Sequence, residues 1–74
     1  MKPTMTLHET CEIYRANVMH MSESKLSRAI KENKYPEWST PLYGKGGRFM
    51  PEIYTAKFVE WFKDKYGITE VKGI

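Results

Sequence analysis

Ser22-Glu-Ser-Lys-Leu-Ser-Arg-Ala-Ile-Lys-Glu-Asn-Lys-Tyr-Pro36 is the stretch whose reading decides the fold. Ser22 is an N-cap residue, and Glu23 behind it suits the positive end of a helix dipole. Leu26, Ala29 and Ile30 make an apolar side. Ser24, Arg28 and Lys31 lie opposite, flanked by Lys25 and Ser27. Asn33 can take the left-handed position that ends a helix, and Pro36 forbids continuation. The spacing predicts a helix over 23–33. A helix that enters a major groove needs one face packed on its own domain and another carrying donors. It also needs small residues near its N-terminus so that the backbone can come close. Ser22, Ser24, Lys25, Ser27, Arg28 and Lys31 meet that description. A plain solvated Lys/Arg face is the competing reading, and the apolar underside with a short preceding turn weighs against it.

Upstream, Thr6-Leu-His-Glu9 reads as a capping box, with Glu9 reaching back to the Thr6 amide. Leu7, Cys11, Tyr14 and Val18 recur at helical spacing and fall within a stripe roughly 60° wide, which predicts a first helix over 7–18 with this face in the core. Met19-His-Met21 leaves only a short turn between the two helices, so they must cross sharply.

Downstream, two prolines and Trp38 mark an extended segment between Tyr35 and Pro41. Leu42-Tyr43 and Arg48-Phe-Met50 flank Gly44-Lys-Gly-Gly47, a hairpin signal whose glycines can supply positive φ. Lys45, Gly46 and Arg48 at the tip of so thin a turn suit contact with phosphates or a minor groove. The turn is no phosphate-binding P-loop, because Phe49-Met-Pro51 follows where Gly-Lys-Ser/Thr would be required. Pro51 near the first helical position and Glu52 in the first turn predict the start of a third helix, with Tyr54, Phe58, Trp61 and Phe62 on one face and Gly67 at its end. Residues 68–74 show no period. The order is helix, tight turn, helix, hairpin, helix. The expected fold is α+β, mostly helical: one winged helix-turn-helix domain over 1–74, with an ordered core at 6–66, a wing at 42–50 and a C-terminal tail at 67–74.

Of 74 residues, 12 are Lys or Arg and 9 are Asp or Glu, for a net charge of +3. The excess lies wholly in 22–48, where Lys25, Arg28, Lys31, Lys34, Lys45 and Arg48 face only Glu23, Glu32 and Glu37. A concentrated positive field attracts polyanions, of which nucleic acid is the commonest. With 41% hydrophobic and 14% aromatic residues there is matter for one small core, its stability resting on a few large aromatics. A chain of this size has little room for a water-excluding substrate pocket, and no paired acid–base set is present, so no enzyme, no cofactor and no small-molecule substrate are expected. Cys11 is the single cysteine, which excludes an internal disulfide. His8, Cys11 and His20 are too few for a zinc site, and Cys11 on the core stripe is a small buried hydrophobe. Met5, Met19, Met21 and Met50 read as core filling. No apolar run approaches the roughly 20 residues that cross a bilayer, and no signal peptide is read, so a cytoplasmic protein without membrane contact is expected.

The stretch from Ser22 to Pro36 resembles the recognition helix of small phage and mobile-element excisionases, within the wider MerR-like winged-helix class. Thr6-Leu-His-Glu-Thr-Cys11 resembles the first helix of that class, and Gly46-Gly-Arg-Phe49 followed by Phe58-Val-Glu-Trp61 resembles its wing and closing helix. Leu7, Cys11 and Tyr14, with Lys25-Leu26, are also similar to the phage-derived pyocin-activator type of regulator. One departure is that Arg15–His20 stand where the class turns through a glycine, which implies a longer first helix or loop. The resemblance implies binding of double-stranded DNA beside a recombination site or promoter, with DNA bending and a role in recombination directionality or transcription regulation. It implies Ser24, Lys25, Arg28 and Lys31 in the major groove, Lys45 and Arg48 holding the wing on the backbone or minor groove, and Lys34 on a phosphate. It also implies contacts of residues 68–74 with an integrase or a neighbouring copy. An adaptor or antirepressor that presents the basic middle to an acidic protein is the alternative.

Overall fold

In the computed structural model, which describes Lys2–Ile74, the two cap motifs read from the sequence start the first two helices. Helix α1 spans Leu7–Asn17, and Thr6 and Glu9 exchange both hydrogen bonds of a capping box. Helix α2 spans Glu23–Lys31, with the Ser22 hydroxyl accepting the Lys25 N–H at 3.1 Å. It stops two residues before the expected 33. Asn33 takes φ 56, and the amides of Asn33 and Lys34 turn back to the carbonyls of Ile30 and Ala29, a Schellman closure.

Strands β1 (Thr4–Met5), β2 (Ser39–Thr40) and β3 (Glu52–Tyr54) form an antiparallel sheet in the order β1-β3-β2. Helix α3 spans Thr55–Tyr66 and closes at Gly67, whose φ is 64. The chain is thus α+β, with three helices and a three-stranded antiparallel sheet.

The hairpin from β2 to β3 keeps one register to its tip. Ladder hydrogen bonds join Trp38 to Tyr54, Leu42 to Met50 and Gly44 to Arg48, and Tyr43 bridges Phe49. Pro41 therefore falls opposite Pro51, between hydrogen-bonded pairs, where neither strand needs an amide. This corrects the expected start of the third helix. Pro51 and Glu52 belong to the hairpin, Tyr54 is the last strand residue, and its hydroxyl lies 2.9 Å from Thr40 Oγ1. The helix begins at Thr55, after β3 has paired with β2 on one side and β1 on the other.

The packed region also reaches past 6–66 at both ends. β1 precedes it, and Ile68 and Val71 pack against the core. The tail changes which face of α1 is buried. Thr10, Cys11, Ile13 and Tyr14 are buried, whereas Val18 is exposed, because the helix ends at Asn17 and Val18 departs from helical backbone. Met5 and Met21 fill the core as expected; Met19 and Met50 do not, being 41% and 56% exposed. The centre is aromatic. Tyr14 meets the Phe62 ring edge-on at 5.0 Å, while Trp38, wholly buried, stacks on Tyr35 at 4.7 Å and touches Phe58 and Trp61. Such pairs add roughly 0.5–1.5 kcal/mol each beyond the area they bury. No helix is long and apolar enough to cross a membrane among the described residues.

Candidate nucleic-acid interface

The site begins with the amphipathic split of α2. Leu26 and Ile30 are buried, Ala29 is half-buried, and Ser24, Lys25, Arg28 and Lys31 are exposed. Ser24, Arg28 and Lys31 follow one another at steps of four and three, so they share one stripe of the helix surface. Ser27 is half-buried beside that stripe. Ser22, exposed, accepts the cap hydrogen bond from Lys25 N–H through its hydroxyl oxygen, which leaves its O–H able to donate outward.

The hairpin supplies the second cationic segment. Its tip is a turn of 3-10 helix over Lys45–Gly47, held by Gly44 N–H to the Arg48 carbonyl and Gly47 N–H to the Gly44 carbonyl. Gly46 and Gly47 have φ of 73 and 78, conformations that an L side chain resists, as the sequence foretold. Gly44 carries no such constraint: a Cβ there would lie 2.6 Å from Met50 Sδ, the end of an exposed, flexible side chain that can swing aside. Lys45 and Arg48 are exposed on either side of this tight turn.

One contact and one shared opening connect the segments. The Lys31 ammonium lies over the Phe49 ring, 4.8 Å from its centroid, which ties the exposed stripe of α2 to the hairpin next to Arg48. A cleft then runs from the N-terminus of α1 to the base of the hairpin. Leu7, Glu23, Arg48, Phe49 and Pro51 are among its lining residues, so the start of α2 and Arg48 border the same opening. Sequence reasoning missed Phe49 as the link. The signal lay in its placement beside Arg48 and opposite Tyr43, an aromatic pair at the neck of a basic turn.

Among the described residues the ion pairs gather mainly on α1 and its immediate neighbours. Lys2 pairs with Glu9, Arg15 with Glu12 at 2.7 Å, and His8 with Glu23 at 3.2 Å, the last linking α1 to the start of α2. Lys34, exposed, lies 3.5 Å from Glu32. Lys25, Arg28, Lys31, Lys45 and Arg48 have no carboxylate within ion-pair distance among the described residues, a property they share with Lys57, Lys63, Lys65 and Lys72 of α3 and the tail, so what marks the five is their placement on α2 and the hairpin. Their charge is not neutralised locally and remains available to an external anion.

The thiol of Cys11 is 3% exposed, and burial pushes its pKa up, aided by the Glu23 carboxylate, so the reactive thiolate is disfavoured. No three His, Cys, Asp or Glu side chains gather to hold a metal ion among the described residues. Compared with known proteins, the chain matches no family model, no curated protein and no solved structure.

Proposed function

We propose that the chain is a winged helix-turn-helix domain that binds double-stranded DNA, with α2 in the major groove and the 42–50 hairpin as the wing on the backbone or minor groove. The biological setting we infer is that of a phage or mobile-element excisionase or transcriptional regulator. The observation that carries the reading is the Lys31–Phe49 contact, because it brings the cationic stripe of α2 and the cationic turn of the hairpin to one flank. A duplex offers phosphates on both walls of a groove, and two cationic segments side by side can engage it where either alone would hold weakly. Lys34 can join them by leaving Glu32, since an exposed ion pair is worth little.

The salt dependence of duplex binding tests this. Neutralising phosphates releases counterions, and each neutralised phosphate steepens the slope of log K against log salt by about 0.9. Five unpaired cations set a slope of up to about −4.5 in a gel-shift or anisotropy titration with genomic fragments. Absence of any salt-sensitive shift at micromolar protein would defeat the proposal and favour an adaptor for an acidic protein.

A further inference from the structure

Tyr43 is the most exposed of the large apolar residues on the described surface, at 61%, beside the glycine-rich cationic turn of the hairpin. Its direction follows from the register. Side chains alternate across a strand, and Tyr43 is the cross-strand partner of Phe49, so both point to the same face. That is the face on which Lys31 of α2 covers Phe49. Leu42 and Met50, also exposed, are the neighbouring pair in the ladder and point the other way. The Tyr43 ring is held against Phe49 with centroids 5.4 Å apart, which limits its freedom before any partner arrives. Lys45 and Arg48, without carboxylate partners, stand two and five residues further along the same turn.

A pre-positioned aromatic ring on a hairpin whose turn also carries cations fits a polyanion that also carries apolar surface. We infer that Tyr43 is a duplex contact that packs its ring on the deoxyribose and base edges lining the groove entered by the wing, a salt-independent complement to the phosphate contacts of Lys45 and Arg48. This rests on the proposed DNA binding and adds an apolar element to it. The chemistry separates the two kinds of contact: an ammonium on a phosphate releases a counterion, whereas a ring on a sugar does not.

The probe is a duplex enriched from a randomised 20-base-pair pool by repeated capture on the wild-type protein, with the unselected pool as reference. Tyr43→Ala is expected to weaken binding roughly tenfold at every salt concentration, leaving the slope against log salt unchanged. Lys45→Ala is expected to flatten that slope by about one. Tyr43→Phe should retain wild-type affinity, and Ile74→Thr, at an exposed apolar position of the tail away from the hairpin, should bind as wild type. Chemical denaturation midpoints of all four variants show that each is folded under the binding conditions. Wild-type affinity in Tyr43→Ala, an equal loss in Tyr43→Phe, or an equal loss in Ile74→Thr would each overturn the assignment while leaving duplex binding intact. Failure of the wild type to retain any duplex would instead remove the functional reading itself.

Discussion

The side-chain amide of Asn17 grips the backbone of Lys72 at both of its polar groups. Nδ2 donates to the Lys72 carbonyl at 3.0 Å, and Oδ1 accepts the Lys72 N–H at 2.9 Å. Nδ2 also reaches the Ile13 carbonyl at 2.7 Å, so the last turn of α1 holds the tail as an extra strand would. Gly73 and Ile74 then border the same cleft as Ile13, which is how a residue off the expected stripe comes to be buried. Replacing Asn17 by Ala removes all three hydrogen bonds and should cost about 1.5–4.5 kcal/mol, at about 0.5–1.5 each. Urea unfolding gives the loss, and hydrogen exchange should show the Lys72 amide deprotected. In a chain ending at Gly67 the same substitution should cost much less, because the partner is already gone. Equal losses in both chains would show that the Asn17 pairing does not hold the tail.

On DNA, α2 and the hairpin tip should fail in different ways. Arg28 occupies the middle of the exposed stripe of α2, where a bidentate contact to a base can form. Arg28→Ala should cost about 1–3 kcal/mol on a selected duplex and relax sequence preference. Lys45 sits in a turn suited to phosphate, so Lys45→Ala should weaken selected and random duplexes alike. Parallel titrations of both duplexes are the measurement. Equal losses on the two duplexes for both variants would end the division between base reading and backbone holding.

The elements that could be read from the chain are those with a local cause. A capping box at Thr6, a serine cap at Ser22, and left-handed turns at Asn33, Gly46 and Gly67 each follow from a residue and its near neighbours. What could not be read depends on pairing at a distance. Thr4–Met5 has no period of its own and becomes a strand only because Ile53 and Tyr54 offer it an edge. The same pairing holds Pro51–Tyr54 extended, overriding the local helix-start signal of proline and glutamate. Val18 leaves the core stripe for a similar reason: the helix stops one residue short of it, and the tail makes Ile13 the buried position instead. Of the candidate site, the charged residues of α2 and the turn were legible by type and spacing. Their joining through Lys31 and Phe49 was not, since 18 positions of chain separate them.

Acid should loosen the start of α1 through Glu9. Its carboxyl is held below the ordinary carboxylate range, chiefly by the Lys2 ammonium and then by the Thr6 backbone N–H. A lowered value in the folded chain means that the folded state favours the charged form. The stabilisation is therefore present above the ordinary carboxylate pKa and disappears as pH falls through the lowered one. Lys2→Met should move the Glu9 titration back toward the ordinary value, leaving the Thr6 contribution in place. Carboxyl NMR shifts followed against pH give both curves, and coincident curves would rule out Lys2 as the main cause.

The link between α2 and the hairpin is open to a direct energetic test. Lys31 contacts the Phe49 ring at the surface, where a cation–π pair contributes about 0.5–1 kcal/mol. Lys31→Met keeps the aliphatic stem and removes the charge, and Phe49→Leu keeps apolar bulk and removes the ring. Each alone should destabilise, and the double variant should lose less than the sum by about the worth of the pair. Lys31→Arg should keep the coupling, because a guanidinium also sits well on a ring face. The same cycle run on duplex affinity reports whether the contact positions the hairpin for binding. If it does, Phe49→Leu weakens binding although the ring itself is half-buried under Lys31 and has no charge to offer a phosphate. A cycle additive in both stability and affinity would mean that helix and hairpin are held together by the rest of the core, with the Lys31–Phe49 contact only resting on the surface.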